Sequence, residues 1–148
     1  MAEISIPISF IAEVFEVDYA KNTKLVNIST REFVESGDKQ IIGRFIVSGT
    51  TPARVFIRAI GPSFPPDVEN RLNDHVLELY LGADRLDIND NWPTNPRIAE
   101  IIETGIAPPN KNEAAIVTTL NSGPNTALVG GVNWTSGYAF LEIYYFPE

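Results

Sequence analysis

Ala53-Arg54-Val55-Phe56-Ile57-Arg58-Ala59-Ile60 is a run in which Val55, Ile57 and Ala59 face one way while Arg54, Phe56, Arg58 and Ile60 face the other. Gly61-Pro62-Ser63 closes it. Successive side chains of a β-strand point to opposite faces, so a repeat of two residues marks a strand with two different environments. The same repeat recurs on both sides. Leu77, Leu79 and Leu81 alternate with Glu78 and Tyr80, and Phe140, Glu142, Tyr144 and Phe146 alternate with Leu141, Ile143 and Tyr145. Shorter apolar runs lie at 25–28, 40–48, 114–120 and 126–132. Gly- and Pro-bearing turns separate them, at Ser48-Gly49-Thr50-Thr51-Pro52, Gly82-Ala83-Asp84, Asn121-Ser122-Gly123-Pro124 and Thr135-Ser136-Gly137. Short strands at this spacing predict an all-β protein, an antiparallel jelly-roll-like β-sandwich of about eight or nine strands. One short helix is expected over Pro96–Glu103, where Asn95 precedes Pro96, Ile98, Ile101 and Ile102 keep helical spacing, and Gly105 follows. One or two helical turns are expected between Pro66 and Asn73.

Composition narrows the function. A chain of 148 residues has the size of one domain and can hold a core without covalent staples. With no cysteine, it has no disulfide, no thiolate nucleophile and no Cys-based zinc site. Nineteen acidic against 11 basic side chains give a net charge of -8. Nucleic-acid binding depends on Lys and Arg neutralising phosphates, so no nucleic-acid partner is expected. No apolar run is long enough to cross a bilayer as a helix, and no membrane insertion is expected. Met1-Ala2-Glu3-Ile4 carries no basic stretch followed by an apolar one, so no leader is expected within this chain. The polar stretch Asp18–Lys24 separates an N-terminal β-prone arm and linker, residues 1–23, from a sandwich domain over 24–148.

Several residues stand out chemically. Asp87, Asn89, Asp90 and Asn91 form the densest oxygen cluster and are a candidate calcium loop, since Ca²⁺ takes roughly six to eight oxygen ligands. Trp92 and Ile98 stand where an EF-hand needs Gly and Glu, so the loop is of another kind, or an Asx-rich turn. Calcium is the one candidate cofactor. Arg58 lies in an apolar strand and Glu113 opens another. A buried charge needs a partner, and a structural ion pair of Arg58 with Glu113, or with Asp90, is expected. His75 is the only histidine, and no Gly-x-Ser-x-Gly elbow accompanies it, so no catalytic triad is expected. Glu78, Asp84, Asp87, Asp90 and Glu142 have no spacing that singles out a catalytic pair. The catalytic assignment is therefore none. Trp134 lies in the turn Asn133-Trp134-Thr135-Ser136-Gly137, where an indole is costly unless it touches something, and Tyr138 follows it. These two are the candidate contact residues. Ile4, Ile6, Ile8 and Phe10 alternate with Ser5, Pro7 and Ser9, a two-faced strand that can complete its own sheet or a neighbour's open edge.

From Lys24 onward, several strings occur in a fixed order. They include Ile42-Gly43-Arg44-Phe45, Ile57-Arg58-Ala59-Ile60-Gly61-Pro62-Ser63, Leu77-Glu78-Leu79-Tyr80, Asn89-Asp90-Asn91-Trp92, Glu113-Ala114-Ala115-Ile116-Val117 and Glu142-Ile143-Tyr144. In these strings the chain resembles a domain near the ends of large secreted and surface proteins of verrucomicrobial and planctomycete-type bacteria. It is more distantly similar to bacterial pre-peptidase C-terminal domains. The resemblance covers about Lys24 to Phe146 and leaves the arm outside. It implies a jelly-roll-like sandwich, an extracellular or cell-surface setting, and a non-enzymatic module for adhesion or binding of a protein or glycan surface. The alternative is a self-assembling structural subunit of a filament, shell or virion, a homo-oligomer that uses the N-terminal strand for strand exchange.

Overall fold

The structure is a computed structural model and describes residues 2–5, 11–14, 27–35, 37 and 39–146. Its strands are β1 (Ala2–Ser5), β2 (Ile11–Val14), β3 (Asn27–Val34), β4 (Ile41–Val47), β5 (Ala53–Ile60), β6 (His75–Leu81), β7 (Asp84–Asn89), β8 (Ala114–Leu120), β9 (Gly123–Gly131) and β10 (Gly137–Phe146). A 3₁₀ turn, Trp92–Thr94, and one helix, α1 (Ile98–Glu103), lie between β7 and β8.

Eight strands form two four-stranded sheets, ordered β3-β10-β5-β8 and β4-β9-β6-β7, with every pair antiparallel. From β3 to β6 each connection crosses to the other sheet; β6 and β7 make a hairpin within one sheet; from β7 to β10 each connection crosses again. That order is a double-sheet jelly roll, as the sequence pattern predicts. The alternation explains it. In β4, Ile41, Phe45 and Val47 are buried and Arg44 is exposed, and in β10, Ala139, Leu141 and Ile143 are buried between less buried neighbours. The inward sets meet in one core that includes Val34, Ile57, Leu77, Leu79, Ile116, Val129 and Leu141. Burial of side chains of this kind contributes about 1.5–3 kcal/mol each.

The outer face of β5 and β8 is also covered. Phe56, Ala115 and Val117 pack with Ile101 of α1, flanked by Trp92, Ile106, Ala107, Tyr144 and Phe146. This second cluster explains why β5 carries Phe56 on its other face. The helix starts where Asn95 Oδ1 accepts the Arg97 N–H at 2.8 Å and ends before Gly105, whose φ is +72°.

The structure differs from the sequence reading in four places. The segment read as an oxygen-rich loop is in large part β7, because Gly82, at φ +58°, turns the chain back onto β6. No helical turn forms between Pro66 and Asn73; Asn70 and Leu72 instead hydrogen-bond the backbone of Tyr138, at 2.7 and 2.9 Å. The first sandwich strand runs from Asn27 to Val34, well beyond the apolar run at 25–28. The arm is not one long strand: β1 and β2 pair antiparallel, with Ser5 opposite Ile11. Ile4 lies in β1, whereas Ile6, Ile8 and Phe10, and the linker 18–24, fall outside the described residues.

Two loops meet on one carboxylate. Glu113, just before β8, has no exposed surface. Its Oε1 accepts the Gly61 N–H at 3.2 Å and the Ser63 N–H at 2.9 Å. Its Oε2 accepts the Ser63 Oγ–H at 2.7 Å and the Asn110 N–H at 3.0 Å. Its own carbonyl accepts the Trp92 N–H at 2.7 Å. The neighbouring Gly61 is required by contact, since a Cβ there would lie 2.1 Å from the Leu72 carbonyl oxygen. Truncating Glu113 orphans buried donors, each at a cost of about 1–3 kcal/mol. Glu113→Ala is therefore expected to lower the unfolding free energy by at least about 3 kcal/mol in urea denaturation; a loss below about 1 kcal/mol would contradict the assignment.

Candidate functional site

The turn between β9 and β10 presents the most exposed large apolar side chain among the described residues. Trp134 is 84% exposed. Asn133 and Trp134 have φ of +51° and +64°, and the Thr135 N–H donates to the Val132 carbonyl at 3.0 Å. Two consecutive residues in the left-handed region with that bond make a type I′ turn, whose second central position suits Gly. An indole there carries a backbone cost of about 1–2 kcal/mol. The turn is also held rigidly. Val132 N–H donates to the Asp74 carbonyl at 3.1 Å, and Thr135 Oγ1 lies 2.7 Å from the carbonyls of both Asp74 and Val132. Gly131 admits this fold-back, because a Cβ on it would fall 2.1 Å from the Thr135 carbonyl oxygen.

Next to the turn, Tyr138 opens β10 on the outer face of its sheet and is 38% exposed. Phe33 is its register partner on β3, 36% exposed, and their rings meet edge to face at 5.0 Å. Arg31, two residues earlier on the same face, holds its guanidinium 5.9 Å from the Tyr138 ring centre. The exposed set is thus Trp134, Tyr138, Phe33 and Arg31. Sequence reading singles out the first two and misses the others. Their signal is weak: Ser29-Thr30-Arg31-Glu32-Phe33-Val34 mixes charge into both faces, so its alternation is hard to see.

The structure separates Arg58 from Glu113. Arg58 instead pairs with Glu142, its register partner on β10, and also donates to the Ile106 carbonyl and, at 3.2 Å, to the Tyr144 hydroxyl. Both charged side chains are mostly covered, at 18% and 16% exposure. Burial, followed by the charge of Glu142, raises the Tyr144 pKa. Arg58 pins the segment after α1 to the sheet, while Glu113 needs no cation because four donors surround it.

Asp87 and Asn89 lie in β7, and Asp90 and Asn91 follow it. Asn89 is buried; its Oδ1 accepts the Ala115 N–H at 3.0 Å and its Nδ2 donates to the Asn91 carbonyl at 3.2 Å. Asp87 Oδ1 accepts the Ile88 N–H at 2.8 Å. Among the described residues no three His, Asp or Glu side chains converge on a point where an ion would sit. The other carboxylates are dispersed as well. Glu78 accepts from Tyr80 at 2.7 Å and from Arg85 at 3.2 Å, on the sheet opposite Glu142. The Glu78 hydrogen bond is the main cause that raises the Tyr80 pKa.

His75 opens β6 and is fully buried, with Nε2 2.9 Å from the Ala59 carbonyl and 3.3 Å from the Ala114 nitrogen. Burial holds its pKa below the ordinary 6.5, outweighing the opposite pull of the Ala59 hydrogen bond and the Glu113 charge. It joins β5, β6 and β8 and faces no solvent.

Two measurements check these assignments. A histidine whose pKa is depressed by folding contributes stability that is present above pH 6.5, where the unfolded chain is neutral too, and lost as pH falls through the folded pKa. The melting temperature is expected to drop between about pH 8 and pH 5.5, and to drop less in His75→Gln relative to its own value at about pH 8. Trp134→Gly is expected to raise the unfolding free energy by about 0.5–1 kcal/mol, since glycine adopts the left-handed backbone freely. A destabilised Trp134→Gly would show that the indole serves the fold.

No protein-family model matches the chain, and no curated protein matches it. Among solved structures it is similar to the pre-peptidase C-terminal domain of collagenase from Bacillus anthracis, determined at 1.0 Å, with a TM-score of 0.52 and 12% sequence identity. The match covers 80% of this chain and 89% of that one. At this identity the likeness is one of fold, a β-sandwich, and the chemistry of each surface is its own.

Proposed function

We propose that this chain is a non-catalytic binding module of an extracellular protein, and that it contacts another polypeptide through Trp134, Tyr138, Phe33 and Arg31. The single observation that carries the reading is Trp134, 84% exposed on a rigid turn whose backbone conformation disfavours it. A residue held against local preference, with its side chain in water, is retained for something outside the fold. Its neighbours are of the right chemistry. Trp, Tyr and Arg are the side chains that most often dominate protein interfaces, and an edge-to-face pair of rings makes a ridge and not the flat platform on which a sugar stacks. The groups that would otherwise suggest chemistry are engaged within the fold: His75 is buried, Glu113 is surrounded by donors, and Glu142 is paired with Arg58. The fold likeness to a domain of a collagenase supports an extracellular setting and makes collagen a sensible first probe.

The test is retention on immobilised collagen and other fibrous proteins, with insoluble glycans in parallel. Retention on protein, weakened by Trp134→Ala at least roughly 30-fold without loss of melting temperature, is the expected result. Retention only on glycans, or equal binding by Trp134→Ala and Tyr138→Ala, would sink the proposal.

A further inference from the structure

A chain rich in carboxylates leaves few cations without a partner, and here 19 acidic side chains stand against 11 basic ones. Arg54 and Arg97 pair with Glu100, Arg58 with Glu142, and Arg85 with Glu78. Among the described residues Arg31, Arg44 and Arg71 form no ion pair. Arg44 lies on the other sheet. Arg31 and Arg71 share one face and stand on either side of Tyr138.

The backbone register places them there. Phe33 on β3 is opposite Tyr138, and Arg31, two residues earlier, projects to the same face. On the other side of Tyr138, Arg71 is its partner in a parallel bridge: the Tyr138 N–H donates to the Asn70 carbonyl at 2.7 Å, and the Leu72 N–H donates to the Tyr138 carbonyl at 2.9 Å. Paired residues project to one face, so Arg71 lies on the outer side with Tyr138. Its contacts agree. Arg71 Nη1 donates to the Phe64 carbonyl at 2.9 Å, and the Phe64 ring packs on Phe140, the next outer residue of β10, with centroids 4.6 Å apart.

Each guanidinium is held at one end and free at the other. Arg31 lies 5.9 Å from the Tyr138 ring centre, and a guanidinium on a ring keeps the donors of its fork for another acceptor. Arg71 spends Nη1 on the carbonyls of Phe64 and Pro62, and its Nε and Nη2 donors bond no described residue. Groups fixed before binding lose less freedom when a ligand arrives. The two positions are two strands apart and offset by two residues, a backbone separation of roughly 12 Å. Carboxylates two or four residues apart on one face of an extended chain are roughly 7 or 13 Å apart, which long arginine side chains can match.

Resting on the contact surface proposed above, we propose that Arg31 and Arg71 determine its specificity, and that the partner polypeptide presents an extended acidic segment with one carboxylate for each guanidinium. Each contact is a charge-assisted, bidentate pair. The net charge of -8 opposes any dense polyanion at long range, so the site selects a short acidic stretch in a partner that is otherwise weakly charged. Tyr138 and Phe33 receive the apolar residues between the carboxylates.

Fluorescence anisotropy on the full chain tests this with three octapeptides, in which valine alternates with glutamate, glutamine or lysine. At low salt the glutamate peptide is expected to bind at least roughly tenfold tighter than the other two, and roughly 0.5 M salt removes most of that preference. Arg31→Gln and Arg71→Gln each cut it at least roughly threefold, while Arg44→Gln leaves it unchanged. Should Arg71→Gln fail to fold, Arg31→Glu, at an exposed position, answers instead by bringing the glutamate and glutamine peptides level. No measurable binding at roughly 1 mM peptide overturns the proposal, as does a preference that survives Arg31→Glu or is abolished by Arg44→Gln, or tighter binding of a heparin fragment than of the glutamate peptide. Trp134→Ala separates the two readings. Equal binding of the glutamate and glutamine peptides, both weakened by Trp134→Ala, sinks the acidic preference alone; binding untouched by Trp134→Ala sinks the contact surface and this proposal with it.

Discussion

The fold turns on the Glu113 carboxylate. A jelly roll must cross between its sheets repeatedly, and each crossing leaves backbone N–H groups that belong to no ladder. Around Glu113 the loop after β5, at Gly61 and Ser63, meets the turn before β8, at Asn110, and all three N–H groups converge on one side chain. The carboxylate needs no cation because the backbone supplies its counter-charge as oriented dipoles. The same residue holds Trp92 through its own carbonyl, and so sets where the roof over β5 and β8 begins. The backbone at Gly61 cannot move away, since Leu72 presses on it and Leu72 is tied to Tyr138. The position of the exposed aromatic face thus follows from a buried acid on the far side of the same sheet.

The second organising device is substitution of side chains for missing strands. Asn89, Asn95 and Arg97 stand where a ninth strand would bond β8. The string Asp87, Asn89, Asp90 and Asn91 reads from sequence as a candidate calcium loop or an Asx-rich turn, and in space the Asn89 amide bonds the Ala115 N–H and the Asn91 carbonyl. An Asn offers one acceptor and two donors on a short stem, so the chemistry that suits calcium also suits an orphaned strand edge. Only position decides between them.

The layered plan was legible because period-two alternation survives in β4, β5, β6 and β10, where one face is apolar apart from His75 at the start of β6. β7 and β3 were not. β7, Asp-Arg-Leu-Asp-Ile-Asn, puts Leu86 and Ile88 outward at 47% and 46% exposure and polar residues inward, which inverts the usual sign of the pattern. β3 interleaves Arg31 and Glu32 with Thr30 and Phe33. The ion-pair partner of Arg58 was also beyond reach. Glu142 is separated from it by 84 positions and meets it only through the register of β5 against β10, which no local spacing encodes. Trp134 was legible for the opposite reason. A large aromatic inside a turn string is locally anomalous, and the left-handed backbone that makes it costly is itself a short-range property.

The roof made by α1 and its flanks covers β5 and β8 but not β3, so the sheet has a thick half and a thin half. β5 is bonded on both sides and covered on both faces. β3 is bonded on one side and bears exposed residues along its outer face. Local opening free energies follow such differences, so breathing motions concentrate in β3 and the start of β10 while β5 opens only with the whole domain. Tyr138 and Phe33 ride on the thin half. The Tyr138–Phe33 part of the contact surface can therefore adjust to what it meets while the Trp134 turn holds its place, and the asymmetry of the roof sets the division between the compliant and the rigid parts of the sheet.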